Sequence, residues 1–119
     1  MILVDTSVWV DHLRATDSRL WALLQAGQVL AHPFVIGEIA LGNLNQRQAV
    51  LGDLANLPQA TIARDNEVLH FIDRNGLAGT GLGYVDAHLL ASAQLMAGTT
   101  LLTRDKRLQS AAIRLNLAA

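Results

Sequence analysis

The chain has 119 residues, 51% of them apolar and 16% charged, with a formal net charge of −1 and no cysteine. This composition excludes a disordered tail, a disulfide framework and a thiolate metal site. With only five aromatic residues and no basic excess, it also lacks the means of a protein that holds nucleic acid by a broad basic or base-stacking face.

Residues 1–5, "MILVD", form an apolar run with no basic segment before it. It reads as a strand rather than a signal peptide. Asp5-Thr6-Ser7 supplies capping side chains, and a helix is predicted over 7–14. Asp17-Ser18 starts a second helix whose Leu20, Leu23 and Leu24 share a face, stopped by Gly27. "VLA" (29–31) predicts a short strand, and Pro33 suits the first turn of a helix bearing Val35, Ile36, Ile39 and Ala40. A helix over 45–57 and a weak strand over 60–63 follow. Asp65 is expected to cap a helix with Val68, Leu69 and Ile72 on its apolar side. The Gly-rich stretch 76–83 leads to a long helix over 84–97, then to a buried strand over 99–103. Asp105 starts a last helix, and 112–119 is a candidate edge strand. Alternating strands and helices predict an α/β fold with a mostly parallel sheet. No apolar run reaches the ~18 residues of a membrane span, so one cytoplasmic domain over 1–119, away from the membrane, is expected.

Ligand sites in open parallel sheets form beyond the carboxyl ends of the strands. Asp5 and Asp105 stand at or just past two such ends, so the fold draws them towards one edge. Each also reads as an ordinary N-cap. Asp86 lies in the first turn of its helix, where the macrodipole alone favours a carboxylate. Glu38 lies within "FVIGEIALG", amid apolar or small residues, or forms that helix's one polar face. Together, four carboxylates emerge from the most apolar segments, which hold few basic partners. Buried anions need pairing or a metal, and oxygen-only ligands suit Mg²⁺ or Mn²⁺.

These segments resemble the PIN-domain nucleases, and within them the VapC-type toxins of toxin–antitoxin pairs. "ILVDTSVWVDHL" resembles the opening strand and helix, "HPFVIGEIALGN" the second acidic motif, "GYVDAHLLASA" the third and "TTLLTRDKRL" the fourth. The resemblance spans nearly the whole chain, with little inserted between the second and third motifs. It implies a three-layer α/β/α fold with a mostly parallel sheet, and metal-dependent endonucleolytic hydrolysis of RNA, tRNA or rRNA. Asp5, Glu38, Asp86 and Asp105 would then be the catalytic metal ligands for Mg²⁺ or Mn²⁺, directly or through water. Thr6 and Thr103 would position a ligand or the attacking water. Two cations about 3.5–4 Å apart would activate that water and neutralise developing charge. The resemblance further implies a small VapB-type antitoxin as partner. The apolar helices over 33–57 favour a homodimer.

Arg104 and Lys106 flank Asp105 and are candidates for meeting RNA phosphates, although a basic cluster of this kind is commonly a solvated helix face. Asp11, on the exposed side of the first helix, is expected to be dispensable. "GTGLG" (79–83) is not a dinucleotide-binding fingerprint and reads as a flexible entry to the Asp86 helix. His12, His32, His70 and His88 show no zinc spacing. Two rival functions remain at this level. A PIN-type nuclease could act on DNA or in RNA maturation. A Mg²⁺-binding phosphoacceptor receiver module shares the length and the acidic pocket, but would want adjacent acids after the first strand and a Lys at a late strand end. The only Lys here is Lys106, beyond Asp105.

Overall fold

Three short apolar segments pair in parallel in a computed structural model that describes residues 1–119. Strand β1 (Ile2–Val4) lies between β2 (Val29–Leu30) and β3 (Thr100–Leu102), in the order β2-β1-β3. Leu3 aligns with Leu30 on one side and with Leu101 on the other. β1 leads through α1 (Thr6–Arg14) and α2 (Ser18–Gln25) to β2. The chain then passes α3 (Pro33–Ala40), α4 (Arg47–Asn56), α5 (Asp65–Arg74) and α6 (Tyr84–Leu95) before reaching β3, and α7 (Lys106–Arg114) follows. The first crossover runs from β1 to β2 and the second returns from β2 past β1 to β3, in the opposite direction. Right-handed connections therefore put their helices on opposite faces, and the switch point falls between β1 and β3. There the first and last strands present their carboxyl ends side by side.

Leu3, Leu101, Leu89, Leu90, Leu20 and Leu108 are fully buried, so the core is sheet plus the inward faces of the helices. α6 is buried continuously from Ala87 to Ala93. Its run of small and apolar residues suits a helix packed on more than one side.

Four expectations need correcting. Residues 60–63 form no strand: Gln59 makes a single bridge to Ala31, and the Ala60 amide donates to the Ala31 carbonyl at 2.7 Å. The stretch from 112 is not an edge strand, because Ala112 belongs to the face on which α7 buries Leu108 and Ala111. Only Ala118, past the helix end, bridges to Leu101. Leu69 is exposed, and Phe71, three residues after Val68, takes the inward position instead. Asp65 is the first residue of α5 rather than its cap; Glu67 Oε1 accepts the Arg64 amide at 2.9 Å and closes that end.

Candidate active site

Asp5 directly follows β1, and its amide donates to the Leu102 carbonyl of β3 at 2.9 Å. It holds the N-cap position of α1 yet makes no side-chain cap hydrogen bond. Capping therefore does not explain it. Its buried carboxylate instead receives two hydroxyls on Oδ2, Ser7 Oγ at 2.7 Å and Thr103 Oγ1 at 2.8 Å. Thr103 Oγ1 also accepts the Asp105 amide at 3.0 Å, and Ser7 Oγ accepts the Arg104 amide at 3.0 Å. These bonds stitch the end of β1 to the turn after β3. Thr6 Oγ1 donates to Glu38 Oε1 at 2.6 Å and ties α3 to the same corner.

Asp105 keeps its capping role, with Oδ1 accepting the Leu108 amide at 2.9 Å. Asp86 sits in the first turn of α6, where Oδ2 accepts the Gly83 amide at 3.2 Å. Burial is the largest cause holding the Asp86 carboxyl above its ordinary pKa of 3.8. The Gly83 hydrogen bond opposes that rise, and the negative charges of Asp5, Asp105 and Glu38 add to it. The charges of Asp5, Asp105 and Glu38 are thus all felt at Asp86.

One pattern runs through the four. Asp5 and Asp86 each engage Oδ2 with protein donors, Asp105 engages Oδ1, and Glu38 engages Oε1. In every case the other oxygen accepts nothing from the protein, and none of the four forms an ion pair. One oxygen fixes the group while the second stays available. This donor set fits a hard divalent cation. The fit is open rather than caged, since no three His, Asp or Glu side chains close around a point. An ion here would lean on a few carboxylates and on water, as Mg²⁺ does. Only Asp5 is buried. Asp86 is half-buried, and Glu38 and Asp105 are exposed, which corrects the expectation of several buried anions. Helix starts and helix outer faces project them to the rim.

The remaining expectations divide. Thr6 and Thr103 do hold carboxylates, as described. The Arg104 guanidinium is committed to Asp11 and Asp17, joining the end of β3 to the turn between α1 and α2. Asp11 is therefore a partner in that clamp rather than a bystander. Lys106 is exposed and unpaired. Ser7 was the residue hardest to foresee. Its only signal is a hydroxyl two residues past Asp5, placed to reach back to the carboxylate. His32 and His88 are buried and belong to an aromatic ladder with Phe34 and Tyr84, at centroid spacings of 5.1, 4.6 and 4.7 Å. Burial foremost, with the charge of His88, depresses the His32 pKa to about 4.

The family model described as "PIN domain" matches residues 2–114. The chain belongs to the PIN-domain family. Two curated relatives, both named Ribonuclease VapC32, come from two strains of Mycobacterium tuberculosis, CDC 1551 / Oshkosh and H37Rv. Each is 54% identical over 111 residues, covering 93% of this chain and 90% of the relative. This identity sets the PIN domain among the VapC-type members. The crystal structure of PAE2754 from Pyrobaculum aerophilum superposes with a TM-score of 0.61 at 19% identity, over 93% of this chain and 78% of that one. That likeness supports the PIN fold alone.

Proposed function

We propose that this PIN domain is a divalent-metal-dependent endoribonuclease and the toxin of a toxin–antitoxin pair, with tRNA or rRNA as its target class. The observation that carries the reading is the pairing of roles within each carboxylate. Asp5, Glu38, Asp86 and Asp105 each spend one oxygen on a local donor and leave one free, with no basic side chain to neutralise them. The name of the VapC32 relatives, ribonuclease, supports the substrate class.

Asp5 is the fixed floor of the site, held by Ser7 and Thr103. Thr6 orients Glu38 from the side. The Gly83 amide and the start of α6 aim Asp86, and α7 aims Asp105 through its cap. These four groups would hold Mg²⁺ or Mn²⁺. When bound, two such ions supply charge neutralisation at the phosphate and a water of lowered pKa for in-line attack. Bound cations also invert the local sign of the pocket, which lets a mildly acidic protein receive a polyanion. Lys106, exposed and next to Asp105, would meet a flanking phosphate.

A groove of about 420 Å³ opens beside Glu38, with Val10, Leu13, Ile39, Leu44 and Val50 among its lining residues. Arg14 and Glu38 stand beside these apolar residues in the lining, a mix that supports an antitoxin whose tail lies there with both apolar and charged side chains. A homodimer in the cytoplasm completes the reading. No helix is long and apolar enough to cross a membrane.

The test is to incubate the protein with total cellular RNA and Mg²⁺, beside a chelator blank, and to map the new ends. Cleavage confined to a few sites in tRNA or rRNA is expected. Cleavage of DNA in place of RNA would overturn the substrate class. Unaided expression should arrest growth, and co-expression of the adjacent small open reading frame should restore it; harmless expression of the active protein would remove the toxin assignment.

A further inference from the structure

α7 presents Arg107, Ser110, Ala111 and Arg114 along one face, at helical spacings of three, four and seven. With Lys106 and Thr80 they line a groove of about 370 Å³ between α7 and the loop before α6. The chain has nine Lys and Arg residues in all. Lys106, Arg107 and Arg114 are three of them, and none forms an ion pair within the chain. Neighbouring cations that no carboxylate answers repel one another, and an anion lying between them relieves that repulsion.

The loop fixes where the groove begins. Gly81 has φ +84°, and a Cβ there would stand 2.7 Å from Arg107 Nη1. The positive φ favours glycine, and a side chain there would push the guanidinium off the loop. Two residues later the Gly83 amide holds the Asp86 carboxylate. At its other wall the groove starts with Lys106, the residue after Asp105. Two of the groove's lining elements are thus continuous in the chain with two of the four acids. From there α7 carries the cations outwards for about 12 Å between Lys106 and Arg114, at roughly 1.5 Å per residue. This gives the 79–83 stretch, which matches no nucleotide-binding fingerprint, a structural purpose.

We propose that this groove is the track for the RNA backbone on one side of the scissile phosphate, with Lys106, Arg107 and Arg114 contacting successive phosphates. The inference rests on the ribonuclease reading and deepens it. Arg104 is excluded from the track because Asp11 and Asp17 hold it. Flat, unpaired cations on a helix face contact phosphate without reading base identity, so the groove sets register and affinity rather than sequence.

The experiment measures binding of a single-stranded RNA longer than the groove as a function of salt. It compares the wild-type protein with Lys106→Gln, Arg107→Gln and Arg114→Gln, singly and together. For single strands the slope of log K against log[salt] is about −0.7 per phosphate contact. Each substitution should make the slope shallower by about 0.7, and the triple variant by about 2. Between 50 and 200 mM salt that amounts to roughly a 20-fold smaller loss of affinity. Arg19→Gln, on α2, and Arg104→Gln should leave the slope unchanged. An unchanged slope in the triple variant overturns the track. So does an unchanged RNA slope with weakened antitoxin binding, which would give the groove to the protein partner. Wild-type cleavage of the same RNA with Mg²⁺ is measured alongside. Absence of cleavage with groove-dependent binding would sink the nuclease reading alone, so the two failures are distinguishable.

Discussion

Replacing Thr103 by Val removes one hydroxyl and keeps the side-chain shape. In the structure that hydroxyl donates to Asp5 Oδ2 at 2.8 Å and accepts the Asp105 amide at 3.0 Å, so one atom serves two of the four acids. Asp5 is buried, at 6% exposure, and would be left with Ser7 as its only side-chain donor. A hydrogen bond to a charged group is worth about 1.5–3 kcal/mol. Spread over a domain of this size, such a loss lowers Tm by roughly 5–15 °C. The activity effect should exceed what stability explains, because a carboxylate displaced by about 1 Å costs on the order of 10²-fold in rate. Thermal denaturation and Mg²⁺-dependent RNA cleavage are measured on Thr103→Val, Ser7→Ala and the double variant. Thr103→Ser serves as the rescue and Thr61→Val as an exposed control. Since Ser7 and Thr103 donate to the same oxygen, the double variant should depart from additivity. A Thr103→Val protein with unchanged Tm and full activity would refute the reasoning, because Asp5 would then need no fixed orientation.

The Asp86 carboxyl holds its proton above 3.8 in the metal-free fold. The native state therefore binds more protons than the unfolded one, and metal-free stability falls as pH rises through that window. Cations require the ionised form, so calorimetric Mn²⁺ affinity should rise with pH over the same range, and Asp5→Asn should weaken it; pH-independent binding would argue against carboxylate ligands. His32 titrates in the opposite sense: its folded pKa is about 4, against 6.5 ordinarily. Stability should therefore be complete above 6.5 and be lost as pH falls towards 4, by roughly 3 kcal/mol at most. Urea unfolding of His32→Gln should show a flatter pH profile, and an unchanged profile would place the titration elsewhere. Arg104→Gln should lower Tm most at low salt, because it releases Asp11 and Asp17; a salt-independent effect would mean that the clamp acts by packing alone.

The parallel α/β order was legible because its signals are local: short apolar strands of two or three residues, caps and glycine stops. The four acids could be singled out because Asp5 and Asp105 lie at or just past the ends of apolar strands and Glu38 and Asp86 lie within apolar helices. What escaped detection depended on partners distant in sequence. Nothing in "TTLLTRDKRL" says that Arg104 turns back to Asp11 and Asp17, or that Thr103 reaches Asp5 from 98 residues away. Leu69 and Phe71 compete for one face of α5, and periodicity alone does not choose between them. Glu38 reads as buried because its neighbours are apolar, and Asp105 because it follows an apolar strand, yet both side chains are exposed. Capping does not consume Asp105, since Oδ1 takes the Leu108 amide and Oδ2 accepts no hydrogen bond from the protein.

The most direct test replaces Asp86 by Asn and follows Mg²⁺-dependent cleavage of a structured RNA, with chelator as the blank. The exchange keeps shape and removes a full charge, so the rate should fall on the order of 10²–10³-fold. Wild-type products should carry a 5′-phosphate and a 3′-hydroxyl, the ends left when water attacks phosphorus and the 3′-oxygen departs. Products bearing a 2′,3′-cyclic phosphate, or an Asp86→Asn protein of undiminished rate, would contradict hydrolysis directed by these four carboxylates.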